Sequence, residues 1–233
     1  MNSKCTLAGF VVFAMLLLAN TALMRAAEPD PEFTQLRTFI DAHPDLYWRK
    51  QGVDNYDRGR YGEAMTAFRR AARYADKTSQ AMLAQMLWNG DGVKVDHVMA
   101  YVWADLAAER GYPAFIATRE KFWQALSADE QHTAVSAGQA IFDEYGDAVA
   151  KKREARALRL ARISVTGSRT GHVGTLVISQ QLPDGRWNKT DGTLYYADKY
   201  WKPEQYWQWQ DRVWTQPPEG KVEVGPIQTP PEH

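Results

Sequence analysis

The side chains that most often carry out chemistry are few and widely spaced in this chain of 233 residues. Its five histidines include no pair with the i, i+4 spacing at which a helix presents two metal ligands. The single cysteine, Cys5, lies ahead of an apolar segment, so the rest of the chain has no thiol for a disulfide, a metal or a nucleophile. Ser168 and Ser179 lack the flanking glycines of a nucleophile elbow. We therefore expect no catalytic, metal or cofactor site.

Charged side chains offer two further candidates. Asp129-Glu130 and Asp143-Glu144 are neighbours on predicted helices, so their carboxylates point apart, and a solvated face is favoured over an acid–base pair. Several Lys and Arg residues lie on the helix predicted over 147–162. They either bind an anionic ligand or complement the negative end of the helix dipole, and the dipole interpretation is favoured. Because 28 Lys and Arg balance 28 Asp and Glu, no excess of positive charge favours nucleic acid as a partner.

Aromatic residues are concentrated towards the carboxyl end of the chain. Aromatic faces can stack on sugars, which makes part of this segment a candidate ligand surface for a cell-wall glycan. Its members are Tyr206, Trp207, Trp209 and Trp214. The same residue types also suit a small sheet that packs against alanine-rich helices, and this interpretation is favoured.

An apolar segment near the amino terminus has the order of a secretory signal peptide. Lys4 gives the segment a positive charge at its amino end, and residues 6–24 are almost entirely apolar. The small residues Ala26 and Ala27 follow, and then comes a polar stretch that contains two prolines. We therefore expect residues 1–27 to be removed and the mature chain to be periplasmic or secreted. The alternative is an uncleaved membrane anchor through residues 6–24, since the apolar run is nearly long enough to span a bilayer.

Residues 32–162 have the pattern of a helical domain, alanine-rich with apolar residues three and four positions apart. One helix ends at Asn89, and the loop 90–93 has two glycines where the chain must reverse with positive φ. A second helix follows and ends at Gly111. The spacing of Ser127 and Glu130 predicts a capping box at the start of a later helix.

The two-helix unit occurs a second time. Three alanines of the second helix (Ala100, Ala107 and Ala108) are preceded by alanines 36 residues earlier in the chain. A helical pair cannot bury its apolar face alone, so a neighbouring copy is what such a unit needs. Small side chains at these positions let two helices approach closely, and Trp103 is predicted to fill the space between units.

The stretch 79–111 resembles a Sel1-like repeat. Its matching residues are Leu83, Gly90, Gly92, Val93, Asp96, Ala100, Trp103, Ala107, Ala108 and Gly111. It departs from the family pattern at Ser79, Ala84 and Leu87, where the family has Ala, Gly and Tyr. The resemblance implies a mainly α fold, a short α-solenoid of TPR-like hairpins, without a cofactor. It also implies a non-enzymatic adaptor whose helical surface binds a partner protein.

Beyond residue 162 the pattern changes to turns and short strand candidates. Strands are predicted at 175–179, 193–196 and 208–214, with turns at Pro183-Asp184-Gly185 and Asp191-Gly192. Residues 163–216 are therefore predicted to form a small aromatic-rich β extension docked on the helices. Residues 217–233, rich in proline, are predicted to be an extended or disordered tail. The favoured function is an exported adaptor in the cell envelope, and the alternative is an envelope glycan-binding protein.

Overall fold

The computed structural model of the protein describes residues 32–166, 176–182 and 185–215. This part of the chain is mainly helical, with one two-stranded antiparallel sheet. Single 3-10 turns lie at Glu32–Gln35 and Ala108–Arg110. The other elements are α1 (Arg37–Ala42), α2 (Pro44–Asp57), α3 (Tyr61–Ala72), α4 (Lys77–Asn89), α5 (His97–Ala107), α6 (Pro113–Ala125), α7 (Ala128–Tyr145), α8 (Asp147–Thr166), β1 (Val177–Gln181), β2 (Trp187–Asp191), α9 (Gly192–Tyr195), α10 (Asp198–Trp201) and α11 (Pro203–Thr215).

Two helical hairpins, α2–α3 and α4–α5, form the centre of the fold. Helix α3 packs on α4, and α5 packs on both α6 and α7. Buried alanines let the backbones approach closely, and Phe68, Leu83 and Trp103 fill the space between the helices. Within the first hairpin the approach is so close that a Cβ at Gly52 would lie 2.4 Å from the Phe68 ring.

The predicted turn and capping box of this region are confirmed. Ser127 forms the reciprocal capping box with Glu130, and the structure adds a cap at Asp96, which accepts from the Met99 amide at the start of α5. Gly92 has φ +69°, as the reversing loop requires, and a Cβ there would lie 2.2 Å from the Tyr61 Cβ. Both the backbone angle and the space therefore require glycine at this position.

The described residues of the carboxy-terminal segment form one hairpin rather than three strands. Strands β1 and β2 pair with Val177 opposite Asp191. The first strand therefore begins at residue 177, two residues after its predicted start at residue 175. The strand predictions at 193–196 and 208–214 are wrong, because residues 193–195 lie in α9, Tyr196 is in the turn that follows it, and residues 208–214 lie in α11. Pro203 begins α11, and the three-residue spacing of Tyr206 and Trp209 buries both rings on one helix face.

Several predicted segments lie outside the described residues. These are the signal or anchor segment, the turn at Pro183-Asp184, and the tail 217–233. Within the described residues, no helix is both long enough and apolar enough to cross a membrane.

A second core joins the first and last described elements. Phe39 of α1 is fully buried, with its ring 5.6 Å from Tyr200 and 6.0 Å from Trp209 in edge-on geometry. Leu158 of α8 contributes to the same cluster. Helices α8 and α11 thus lie over the amino-terminal ends of α2, α4 and α6, where the polar contacts described below are found.

Candidate functional site

A group of buried charges lies where α8 and α11 meet the amino-terminal ends of α2, α4 and α6. Lys77, the first residue of α4, is only 2% exposed. Its Nζ donates to the Leu106 carbonyl at 3.0 Å and to Glu109 at 2.7 Å, and lies 3.0 Å from Asp147. Burial lowers the pKa of Lys77, and the Asp147 and Glu109 carboxylates oppose that effect. The ammonium group therefore depends on its partners to remain charged.

Arg110 connects both crossing helices to the turn between α5 and α6. Its guanidinium donates to the two Asp147 oxygens at 2.7 and 3.0 Å, and to Asp211 of α11 at 3.0 Å. Tyr112 also donates to Asp211. Burial alone would raise the pKa of Asp147, but hydrogen bonds from Arg110 and the charge of Lys77 hold that pKa well below its usual range.

Two carboxyl groups meet in the interior beside this network. Glu154 of α8 is fully buried and lies within hydrogen-bonding reach of Asp45 of α2. Asp45 Oδ2 accepts from the Tyr206 hydroxyl at 2.6 Å. Neither Glu154 oxygen, nor Asp45 Oδ1, has an N–H or O–H donor among the described residues. Burial raises the pKa of both groups, and that of Glu154 is raised further by the charge of Asp45.

A small cavity lies beside Asp45. Arg49 also lines it, 3.2 Å from Asp76 Oδ1, and donates to Gln210 of α11 at 3.4 Å. The cavity has a volume of about 20 Å³ and is also lined by Tyr206 and Trp207. That volume holds about one water molecule and is far below that of ordinary ligand pockets. The arrangement can therefore position helices, but it has no room for a substrate.

The residues of the Sel1-like pattern lie in the helical core and its turns. The apolar members are buried or partly buried, and Trp103 packs against Tyr145 at 4.8 Å between ring centroids. Asp96 is a helix cap, and the three glycines (Gly90, Gly92 and Gly111) have positive φ. These positions stabilise the helices and reversals and do not form a ligand site.

The four candidate ligand aromatics pack against the helices to different extents. Tyr206 and Trp209 are buried in the second core. Trp207 is half-buried, with Lys151 Nζ 4.9 Å from its ring centroid, and Trp214 packs on Phe115 at 4.5 Å. A flat, exposed stacking platform for a sugar is therefore not formed by these rings.

The basic run on α8 is divided between internal contacts and solvent. Lys151 pairs with Asp147 at 3.0 Å, and Arg153 donates to the carbonyl of Glu144 at 2.7 Å. Lys152, Arg156 and Arg159 are exposed. Part of this basic run therefore holds α8 against the rest of the fold. A face that was entirely solvated, or that only bound a ligand, would not make these internal contacts.

An open groove lies between α2 and α3. It has a volume of about 470 Å³, and its lining includes Trp48 and Arg70, which contact each other with the Arg70 guanidinium carbon 4.4 Å from the Trp48 ring centroid. Gln51, Asn55 and Glu63 provide polar groups around it. An aromatic face next to a cation can hold an apolar or acidic side chain of a partner.

The histidines and carboxylates of the described residues were the candidates for a metal site. No cluster of His, Cys, Asp and Glu there could hold a metal ion. His43 is enclosed by aromatic rings, 4.1 Å from Phe39 and 5.2 Å from Tyr206, and His97 lies against Trp88. Both histidines pack against aromatic rings.

The sequence did not predict the buried charges. Lys77 and Asp147 are each the first residue of a helix, where solvated charges are common. Glu154 offered one signal, since it lies one turn from Ala150 and one turn from Leu158, on what is otherwise an apolar stripe.

Comparisons with known proteins identify no relative: no family model, no curated protein and no solved structure matches the chain. The resemblance to Sel1-like repeats therefore depends on the residues of 79–111 alone. The function is inferred below from these residues and from the geometry.

Proposed function

We propose that the chain is an exported, non-enzymatic adaptor of the Sel1-like kind that binds a protein partner in the cell envelope. The observation that carries the proposal is a pair of consecutive hairpins, α2–α3 and α4–α5, with buried alanines 36 residues apart, such as Ala64 and Ala100. This spacing supports a short array of repeated helical hairpins, an architecture that serves binding more often than catalysis.

The covering of the hairpins also supports this proposal. End repeats must have their apolar faces covered if an array is to be soluble. Here α1, α8, α10 and α11 share a core beside the first hairpin, and α7 packs on α5 of the second. The helices that follow the repeats would then act as caps.

The groove of Trp48 and Arg70 is the surface that we propose for the partner. Tryptophan and arginine are enriched among the residues that dominate binding energies. A volume of about 470 Å³ admits one or two side chains of a partner, and the polar groups around it fit the rim of an interface. The partner would insert an apolar side chain and place an acidic group near Arg70.

A binding experiment with matched variants tests the proposal. The mature chain is incubated with an envelope extract as wild type, as Trp48→Ala, and as Trp187→Ala, which removes a tryptophan that is 62% exposed elsewhere. We expect a protein partner whose affinity falls about 30-fold in Trp48→Ala, equivalent to about 2 kcal/mol, and not in Trp187→Ala. Equal loss in both variants would contradict the groove, and retention on purified glycan without a protein partner would contradict the adaptor.

A further inference from the structure

Asp45 and Glu154 form a carboxyl pair in the interior of the fold. Glu154 lies in the middle of the buried face of α8, between Ala150 and Leu158, and all three residues are fully buried. A carboxyl group in such a position needs either a donor from the protein or a proton of its own, because it has no contact with water.

The protein donors around the pair are already engaged. Arg49 of α2 contacts Asp76, Thr78 and Gln210. The Tyr206 hydroxyl of α11 donates to Asp45 Oδ2. Burial raises the pKa of Tyr206 well above its ordinary value, so this hydroxyl remains a donor.

The remaining charged and titratable neighbours supply no donor to the pair either. Arg110 is bound to Asp147 and Asp211. His43 lies directly before α2, and its ring nitrogens face the carbonyls of Phe39 and Tyr200. Asp76, at the start of α4, adds a further negative charge near the pair.

We propose that Asp45 and Glu154 share one proton and form a pH-sensitive latch that holds α8 and α11 against α2. With the proton on Glu154, its O–H donates to Asp45 Oδ1, and only one of the three oxygens without a donor keeps no partner. The pair then carries one negative charge, which lies next to Arg49. Release of the proton to solvent places two carboxylates side by side, with Asp76 close by, and the repulsion favours separation of α8 from α2.

The direction of the pH effect follows from the burial of Glu154. Burial raises the pKa of Glu154 well above its ordinary value, which is about 4.3 in an unfolded chain. Between these two values the folded chain holds a proton that the unfolded chain has lost. The latch is therefore strongest below the unfolded pKa and weakens as pH rises from that value to the folded pKa, a range in which the opening equilibrium constant increases by up to about tenfold per pH unit.

Titration of His43 would have the opposite sign, which separates the two groups experimentally. Burial lowers the pKa of His43. The folded chain then binds fewer protons than the unfolded chain, so a contribution from this histidine would make stability rise with pH.

Hydrogen exchange at matched pH tests the latch in the full chain. The variants are wild type, Glu154→Gln, whose amide donates without titrating, and Glu120→Gln, a control on the exposed face of α6. Comparing variants at one pH removes the pH dependence of intrinsic exchange. At pH 8.5 we expect peptides covering α8 and α11 to exchange at least about tenfold faster in wild type than in Glu154→Gln, and the difference to shrink at pH 6. Equal protection at both pH values would overturn the proposal.

A second measurement applies even where Glu154→Gln fails to fold. In wild type labelled with carbon-13 at the glutamate carboxyls, we expect one glutamate to titrate well above all the others. In Asp45→Asn, the amide can accept from Tyr206 and donate to Glu154, so the raised titration should move downward. A wild-type spectrum without such a glutamate, or an Asp45→Asn spectrum with an unchanged one, would refute the shared proton.

Discussion

Replacement of Asp147 by Asn tests the charged junction most directly. The Asp147 side chain is 15% exposed and is the common counter-ion of Lys77 and Arg110. In Asp147→Asn the charge disappears, and the amide can place a donor against the Arg110 guanidinium. Lys77 keeps Glu109 as a partner, and Arg110 keeps Asp211.

The expected loss follows from these remaining contacts. Removing one partner of a buried ion pair costs about 3–5 kcal/mol, because the other charge stays buried. Since both cations keep one carboxylate, we expect the lower end of that range, about 3 kcal/mol of unfolding free energy. The control Asp143→Asn changes an exposed carboxylate on α7 that accepts only from Gln139 in the same helix, and should cost about 0.5 kcal/mol or less.

Urea unfolding followed by tryptophan fluorescence measures both variants. The difference between wild type and Asp147→Asn should be complete at pH 7. Because the folded pKa of Asp147 is depressed, its contribution exists above the unfolded pKa of about 3.9 and is lost as pH falls below it. The difference in unfolding free energy between wild type and Asp147→Asn should therefore decrease as pH falls from about 5 to about 3. A gap under about 1 kcal/mol at pH 7, or one that widens on acidification, would refute this account of the junction.

Three further outcomes are expected. Ala108→Leu should overpack the helix contact and cost about 1–3 kcal/mol in urea unfolding, unlike Ala140→Leu at an exposed site; equal costs would contradict close helix packing. Gly92 and Gly111 both have positive φ, but an added Cβ would contact another side chain only at Gly92. Gly92→Ala should therefore lower the melting temperature more than Gly111→Ala, and the reverse order would contradict the turn geometry. Mass spectrometry of the extracted protein should show a chain that begins near residue 28, whereas an intact membrane-held form would support the anchor.

The sequence predicted the central helices well because their signals are local. Apolar spacing, the reversal at Gly90 and the pair Ser127 and Glu130 each act within a few residues. Such features constrain the backbone wherever the segment lies in the fold. The end of α4 and the turn that follows it could therefore be predicted without knowledge of their neighbours.

The carboxy-terminal helices could not be predicted in this way. Tryptophan and tyrosine favour strands on average, and the segment around Trp209 also shows partial alternation. Its helical form is stabilised by contacts with distant residues, such as the bond from Tyr206 to Asp45, 161 positions away. Packing against α1 and α8 overrides the local preference.

The buried charges could not be predicted for a related reason. A lysine or aspartate at a helix start has the same sequence signature whether it is solvated or covered. Lys77 is covered only because α8 crosses it, and that crossing depends on the whole fold. Glu154 was the one position whose apolar neighbours marked it as unusual.

The union of the first and last elements in one core has a consequence for the order of folding. Phe39 can pack against Tyr200 and Trp209 only after almost the whole chain has been synthesised. A nascent chain therefore exposes the apolar side of α1 throughout synthesis, until its last helices are complete. Contacts of such high sequence separation form slowly, because a long loop must close first. Truncated chains would keep an exposed aromatic surface that favours aggregation. A holdase chaperone would be needed to prevent that aggregation.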